Sequence, residues 1–228
     1  MVTVKMLPTY ETLKSNILNL YREIESVEPR YIYDGARWYE TANRLAFEIA
    51  ITADTTLSQV AACIALLSPQ KSWSDNIEDA RAVVGCYARH GQVTRALVSE
   101  ILGRGIFSPD KDLAACERVL RDNVTITGLK RIAFVTNIVF PERVRVVTVD
   151  SHAVRIAIAN VDDSGTIPDS KYDLVASAYR DVADSLSIAP MHLQAITWLY
   201  WRDARVKSSG RRHYNVVAES VTRGYIVR

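Results

Sequence analysis

Residues 144–159 read VRVVTVDSHAVRIAIA, an apolar run broken by Asp150, Ser151 and His152. A carboxylate in such a run needs a reason, because burying an unpaired charge is costly unless a partner or a reaction uses it. Two chemistries suit Asp150. As the residue before a helical pattern it can cap that helix, accepting from backbone N–H groups two and three residues on. As an ionised carboxylate held in a site it can stabilise developing positive charge or deprotonate a nucleophile. His152 fits either a satisfied, half-buried histidine or an acid–base group. Arg155, one turn beyond, suits a partner for the carboxylate or for a phosphate.

Two further stretches carry side chains with chemical uses. In LLSPQKSWSDN, residues 66–76, a buried helix stops at Ser68 and Pro69 and leaves Gln70 at a surface corner, with two donors and an acceptor on its amide. The tip also reads as a plain loop, with Trp73 as a core anchor. In NVTITGLKRIAFVTNIV, residues 123–139, Gly128 leads into an apolar helix with Lys130 and Arg131 in its first turn. Backbone N–H groups and two cations at a helix start can hold a phosphate, which would offset the unfavourable meeting of those cations with the helix dipole. The plain alternative is a turn and two solvated bases.

The elements that must position these residues are helical almost throughout. TYETLKSNILNLYREIESV sets Leu13, Ile17, Leu20 and Ile24 at spacings of three and four, one face of a helix. GARWYETANRLAFEIA follows. TTLSQVAACIALLS opens on capping residues and is apolar nearly all round, as a central buried helix is. SWSDNIEDARAVVGCYARHG and TRALVSEILGRG restart with caps and stop at glycines. DKDLAACERVLRD, GLKRIAFVTNIV, SHAVRIAIAN, DSKYDLVASAYRDVADSL and APMHLQAITWLYWRDARV complete the set. VRVVTV alone looks extended, and it reads as a connector feeding the helix near Asp150. NVDDSGTIPDS, residues 160–170, is the clearest loop.

The chain has 228 residues, 48% of them apolar, enough to fill one sizeable core or two small lobes. No apolar run is long enough to span a bilayer and the first residues lack signal-peptide character, so a soluble protein of the cytoplasm is expected. Cys63, Cys86 and Cys116 are widely spaced within helical patterns and read as buried thiols. Twenty-eight basic residues nearly balance 26 acidic ones for a net charge of +2, so distribution matters more than the sum. RDARVKSSGRR, residues 202–212, holds five basic residues against one acidic and ends in Arg211 and Arg212; Lys130, Arg131, Arg143 and Arg145 form a second group. Each cluster alone suits a solvated face.

LLSPQ (66–70), ITGLKRIA (126–133) and VDSH (149–152), in this order, resemble the helix-hairpin-helix (HhH-GPD) DNA glycosylase superfamily, the endonuclease-III-like group, over residues 60–160. There a helix ending in LLS-x-Q brings a Gln to the duplex, a Gly-containing hairpin grips the backbone, and V-D-[ST]-H supplies the catalytic Asp. The departures matter. Lys130 stands where the hairpin's second Gly is expected, Ile132 aligns with the Schiff-base Lys of bifunctional members, and no Cys follows Cys116 to build an iron–sulfur loop. WYETA (38–42), LSPQKSWSDN (67–76), GLK with AFVTNI (128–138), VTVDSHA (147–153) and QAITW (194–198) are similar to phage-encoded relatives of that fold. Some of these are linked to thymine hypermodification.

The resemblance implies an all-α, helix-hairpin-helix glycosylase-like fold. It would be one domain over residues 1–228, with a helical lobe at 60–140 and a second from 1–59 plus 141–228 flanking a DNA groove. It implies catalysis by Asp150 with His152, and DNA or base contacts from Gln70, Trp73, Asn76, Gly128, Lys130, Arg131, Arg155, Arg211 and Arg212. The expected enzyme is a cofactor-free, monomeric, monofunctional DNA glycosylase acting on a flipped base. The alternatives are a transferase joining an amino acid or polyamine to a 5-phosphomethyl pyrimidine, and a non-catalytic DNA-binding module.

Overall fold

Thr9, Thr56, Ser72, Thr94 and Asp150 each turn a side-chain oxygen onto a backbone N–H three residues on, and each starts a helix. These caps satisfy donors that a helix cannot satisfy itself. The computed structural model describes residues 8–142, 145–160, 165 and 168–208, and among them every regular element is an α-helix. The order is α1 (Tyr10–Val27), α2 (Arg30–Ala36), α3 (Trp38–Thr52), α4 (Leu57–Leu67), α5 (Trp73–His90), α6 (Arg95–Leu102), α7 (Asp110–Asp122), α8 (Leu129–Val139), α9 (Ser151–Ile158), α10 (Asp169–Ser185) and α11 (Pro190–Ser208). No described helix alone is long and apolar enough to cross a membrane. α3 and α4 would suffice together by length, but they are bent 116° apart.

The protein is therefore all-α, with residues 145–149 as a connector without regular structure. The buried stripe of α1 is Leu13, Ile17, Tyr21 and Ile24, with Tyr21 taking the place expected of Leu20. One element departs from the expected set. GARWYETANRLAFEIA is not a single helix: α2 begins at Arg30 behind Pro29, and the chain breaks at Arg37 before α3. Gly35, expected at a helix start, lies inside α2, where a Cβ would come within 2.5 Å of Ile196 Cα on α11. Only a residue without a side chain lets these two helices approach so closely.

The described residues form two compact units, one of residues up to Tyr39 and from Pro141 onward, the other Glu40–Phe140. Residues 40–59 thus pack with the second unit instead of the first, as the amide of Asn43, which donates to Ile138 O at 2.8 Å, illustrates. In the first unit α1 packs on α2, α9, α10 and α11, and α11 also receives α2 and α9. In the second, α4 is central against α5, α7 and α8, with every residue from Val60 to Leu67 buried. Gln59 carries out two tasks there. It closes a capping box with Thr56, and its Nε2 donates to Val119 O and Leu120 O at 3.1 and 3.0 Å, satisfying carbonyls at the end of α7. Cys63, Cys86 and Cys116 are buried free thiols. The Cys63 thiol is held well above its usual range by a hydrogen bond with Cys116 and by burial.

Gly35→Ala should lower stability by about 1–3 kcal/mol, the usual cost of overpacking, because a backbone atom of Ile196 cannot step aside. Thermal unfolding followed by circular dichroism measures it, and an unchanged midpoint would mean that α2 and α11 slide apart freely.

Candidate active site

Residues 145–149 have no neighbouring strand, yet Val147, Thr148 and Val149 are 1%, 5% and 5% exposed. Their polar groups find side-chain partners. The Tyr172 hydroxyl on α10 accepts from Val149 N at 3.0 Å and donates to Val147 O at 2.9 Å, so one phenol serves two backbone groups. The Tyr39 hydroxyl lies 3.0 Å from Thr148 Oγ1 and 3.1 Å from Gln194 Oε1, and all three residues are buried. WYETA, VTVDSHA and QAITW, far apart in sequence, meet at this one hydroxyl. Trp38 and Trp198, from the first and last of these motifs, pack edge to face with centroids 5.6 Å apart.

This network ends at Asp150, which is half-buried at the N-terminus of α9. Its Oδ1 accepts from Ala153 N at 2.8 Å, which makes it the helix cap. Among the described residues Oδ2 takes no hydrogen bond and Asp150 has no ion pair. Arg155 is thus not its ion-pair partner. Asp150 faces two phenols. Burial pushes Tyr172 up to about 12, with the charge of Asp150 adding to the shift against the bond from Val149. Burial raises Tyr179 further, and Asp150 again adds to it. The arrangement leaves one carboxylate oxygen held by the helix start and the other without a hydrogen bond among the described residues. His152 and Arg155 are half-buried on α9.

Gly165 seals the other side of this turn. Its φ is +70°, and a Cβ there would lie 2.3 Å from Ser151 O, so the chain passes in close contact with the residue after Asp150. Tyr172, Tyr179 and Gly165 did not stand out in the sequence, where tyrosines at helical spacing look like ordinary core and one glycine is lost among turn formers.

The other expected residues lie in the second unit. Gln70 is exposed and left-handed, with φ +59°, a strained conformation for a residue with a side chain. Trp73 and Asn76 face the interior at 8% and 2% exposure, and Asn76 Nδ2 donates to Ile64 O at 3.1 Å. An outside ligand meets neither in this conformation, and both serve the packing of α5 on α4. Gly128 has φ +93°, and no side chain caps α8 behind it. Residues 123–127 return the chain without regular structure, so Arg131 in the first turn of α8 meets Asp112 in the first turn of α7 at 3.5 Å. Lys130 is exposed and without an ion pair among the described residues. Leu129 and Ile132 beside it are 41% and 44% exposed.

The basic clusters are partly spent on internal pairs. Arg145 binds Asp184 at 2.6 Å, and Arg202 stacks over Trp198 at 4.5 Å while pairing with Asp203. Arg143, Arg211 and Arg212 lie outside the described residues. Sequence reasoning missed Phe107, 73% exposed between the buried Ile106 and Ser108. An apolar residue in a turn-rich segment, GIFSPD, was its only signal. Among the described residues no three His, Cys, Asp or Glu side chains converge as a metal site.

Fold and site together define an all-helical protein built around a helix-capping carboxylate on a side-chain-clamped extended segment. The chain belongs to a family of unknown function, DUF7178, whose model matches residues 3–205. No curated protein and no solved structure matches it.

Tyr172→Phe should cost about 1–3 kcal/mol at neutral pH, since it leaves Val149 N–H and Val147 C=O buried without partners. It should also flatten the alkaline limb of stability. The phenol ionises near 10.0 when unfolded and near 12 when folded, so its contribution is complete below pH 10 and is lost as pH rises through 12. Denaturant unfolding between pH 8 and pH 12 would show both effects, and identical alkaline slopes in the two proteins would refute the clamp.

Proposed function

We propose that this protein is a DNA-base-acting enzyme of the HhH-GPD type, a monofunctional DNA glycosylase with Asp150 as its catalytic carboxylate. One observation carries the reading. Asp150 is fixed through Oδ1 by Ala153 N and follows residues held by Tyr172 at Val149 N and by Tyr39 at Thr148, while Oδ2 has no bond within the described chain.

The target base leaves the stack, because a carboxylate held in a protein cannot reach its atoms within a duplex. As the bond from C1′ to the base nitrogen breaks, its electron pair departs with the base and positive charge grows on the sugar. Oδ2 stabilises that charge and accepts a proton from the water that adds to C1′. The half-buried Tyr172 and the buried Tyr179 lie within reach of the charge of Asp150. Within the second unit, Gln70 offers a neutral amide at a corner and Lys130 an exposed cation beside the uncapped start of α8, groups suited to a nucleic-acid backbone. Ile132 offers no amine for a lyase step, so the product is an intact abasic site. In the transferase alternative the same carboxylate deprotonates an incoming amine, and the base gains mass instead of leaving.

Asp150→Asn should retain the cap through its amide oxygen, keep stability within about 1 kcal/mol, and abolish turnover. The assay incubates oligonucleotides bearing normal, alkylated, deaminated, 5-hydroxymethyl and 5-phosphomethyl bases with protein and an amine pool, then measures their mass. An abasic product supports the glycosylase and a mass gain the transferase; no change with any substrate leaves DNA binding without catalysis. Lys130→Ala should flatten the slope of log affinity against log salt by about one unit, reflecting one lost phosphate contact. An unchanged slope would return Lys130 to solvent.

A further inference from the structure

Lys71 follows Gln70 in the chain, and its side chain is only 4% exposed. Its ammonium is bonded to Asp79 Oδ2 on α5, where the carboxylate is 1% exposed, and donates to Ser108 Oγ at 2.6 Å. The other Asp79 oxygen accepts from Arg104 at 3.0 Å. Buried lysines are rare because removing an ammonium from water is costly, and this one is matched by a carboxylate and a hydroxyl. The cluster has no role in the chemistry at Asp150. It bolts two loops of the second unit together and to α5: the tip after α4 that carries Gln70, and residues 103–109, which carry Phe107.

The second loop is held from its other side too. Arg95 donates to Ile106 O at 2.8 Å and to Ser108 O, so the residues on both sides of Phe107 are anchored. Phe107 is 73% exposed while Ile106 is 4% and Ser108 7%. Two exposed side chains, one polar in a left-handed conformation and one aromatic, are thereby carried on a single rigid support. Holding them before binding removes the entropy cost of ordering them during it.

We infer that Lys71 is a positioning residue that holds Gln70 and Phe107 at a fixed spacing for entry into a DNA base stack. The inference rests on the reading that this tip meets DNA. The Lys71 ammonium joins the tip to Ser108 of the second loop and to Asp79, which also receives Arg104 from that loop. An apolar residue of the same length fills the space and carries no bond.

The test uses the full chain, a short duplex with 2-aminopurine at its centre, and the variants Lys71→Met, Ser108→Ala, Gln70→Ala and Lys71→Met with Gln70→Ala. Binding is titrated over a range of salt, the fluorescence rise of 2-aminopurine reports unstacking, and thermal unfolding reports the fold. Lys71→Met should bind about tenfold more weakly, the scale of one lost stacking contact, with the salt slope kept and the fluorescence rise lost. Gln70→Ala should give a similar loss, and the double variant should be no worse than Lys71→Met alone, since both act through one tip.

A role confined to stability would lower the melting temperature and leave the fluorescence rise of the folded fraction intact, which overturns the inference. Additive losses in the double variant also overturn it. If Lys71→Met does not fold, Ser108→Ala decides by the same readouts, because it removes only the bond between the loops. Wild-type protein with neither salt-dependent binding nor a fluorescence rise overturns the DNA reading itself, and the positioning role with it. Wild-type unstacking that survives both substitutions overturns the positioning role alone.

Discussion

An extended segment inside a helical unit has to find partners for its backbone, and for residues 147–149 that partner is a phenol. Tyr172 bonds the N–H of Val149 and the C=O of Val147, the groups a neighbouring strand would have taken in a sheet. Everything at Asp150 depends on this. Without the clamp the segment would carry an N–H and a C=O without partners. The Tyr39, Thr148 and Gln194 contacts set the side-chain register of the same segment, so the carboxylate enters its position already oriented.

The second unit solves a related problem with charge. Its exposed features, Gln70, Phe107 and the start of α8, lie on connections between helices, which gain little from packing on their own. Asp79, nearly inaccessible on α5, gathers Lys71 and Arg104 from two of those connections. Gln59 does the same at the end of α7 with its amide. Buried polar groups that are fully partnered rigidify a structure, and here they rigidify the loops rather than the core.

Much of the helical order was legible in the chain. Capping threonines and serines, stop glycines and three-four spacing mark ten of the eleven helices among the described residues, because those signals act within a few residues of where they are read. The helix that escaped, α2, is seven residues long, and its Gly35 looks like punctuation until Ile196 is seen against it. The motifs WYETA, VTVDSHA and QAITW were visible as strings, but not the hydroxyl at which they meet. Trp73, readable as a core anchor or a DNA contact, and Asn76, a contact by its place in a motif, are both core by burial. Lys71 looked like any lysine in a polar turn.

What the sequence determined by itself is local: the all-α class, a connector between helices before Asp150, and that Asp150 begins a helix. Each follows from backbone preferences and from donors and acceptors within four residues. What only the tertiary structure decided is which polar groups are satisfied and by whom. Whether Arg131 is a free cation or the partner of Asp112, whether Lys71 is solvated or enclosed, and whether the second oxygen of Asp150 is occupied all depend on side chains brought from distant positions. Burial and pairing are properties of the packed molecule, and the energy of a charge depends on them far more than on its neighbours in the chain.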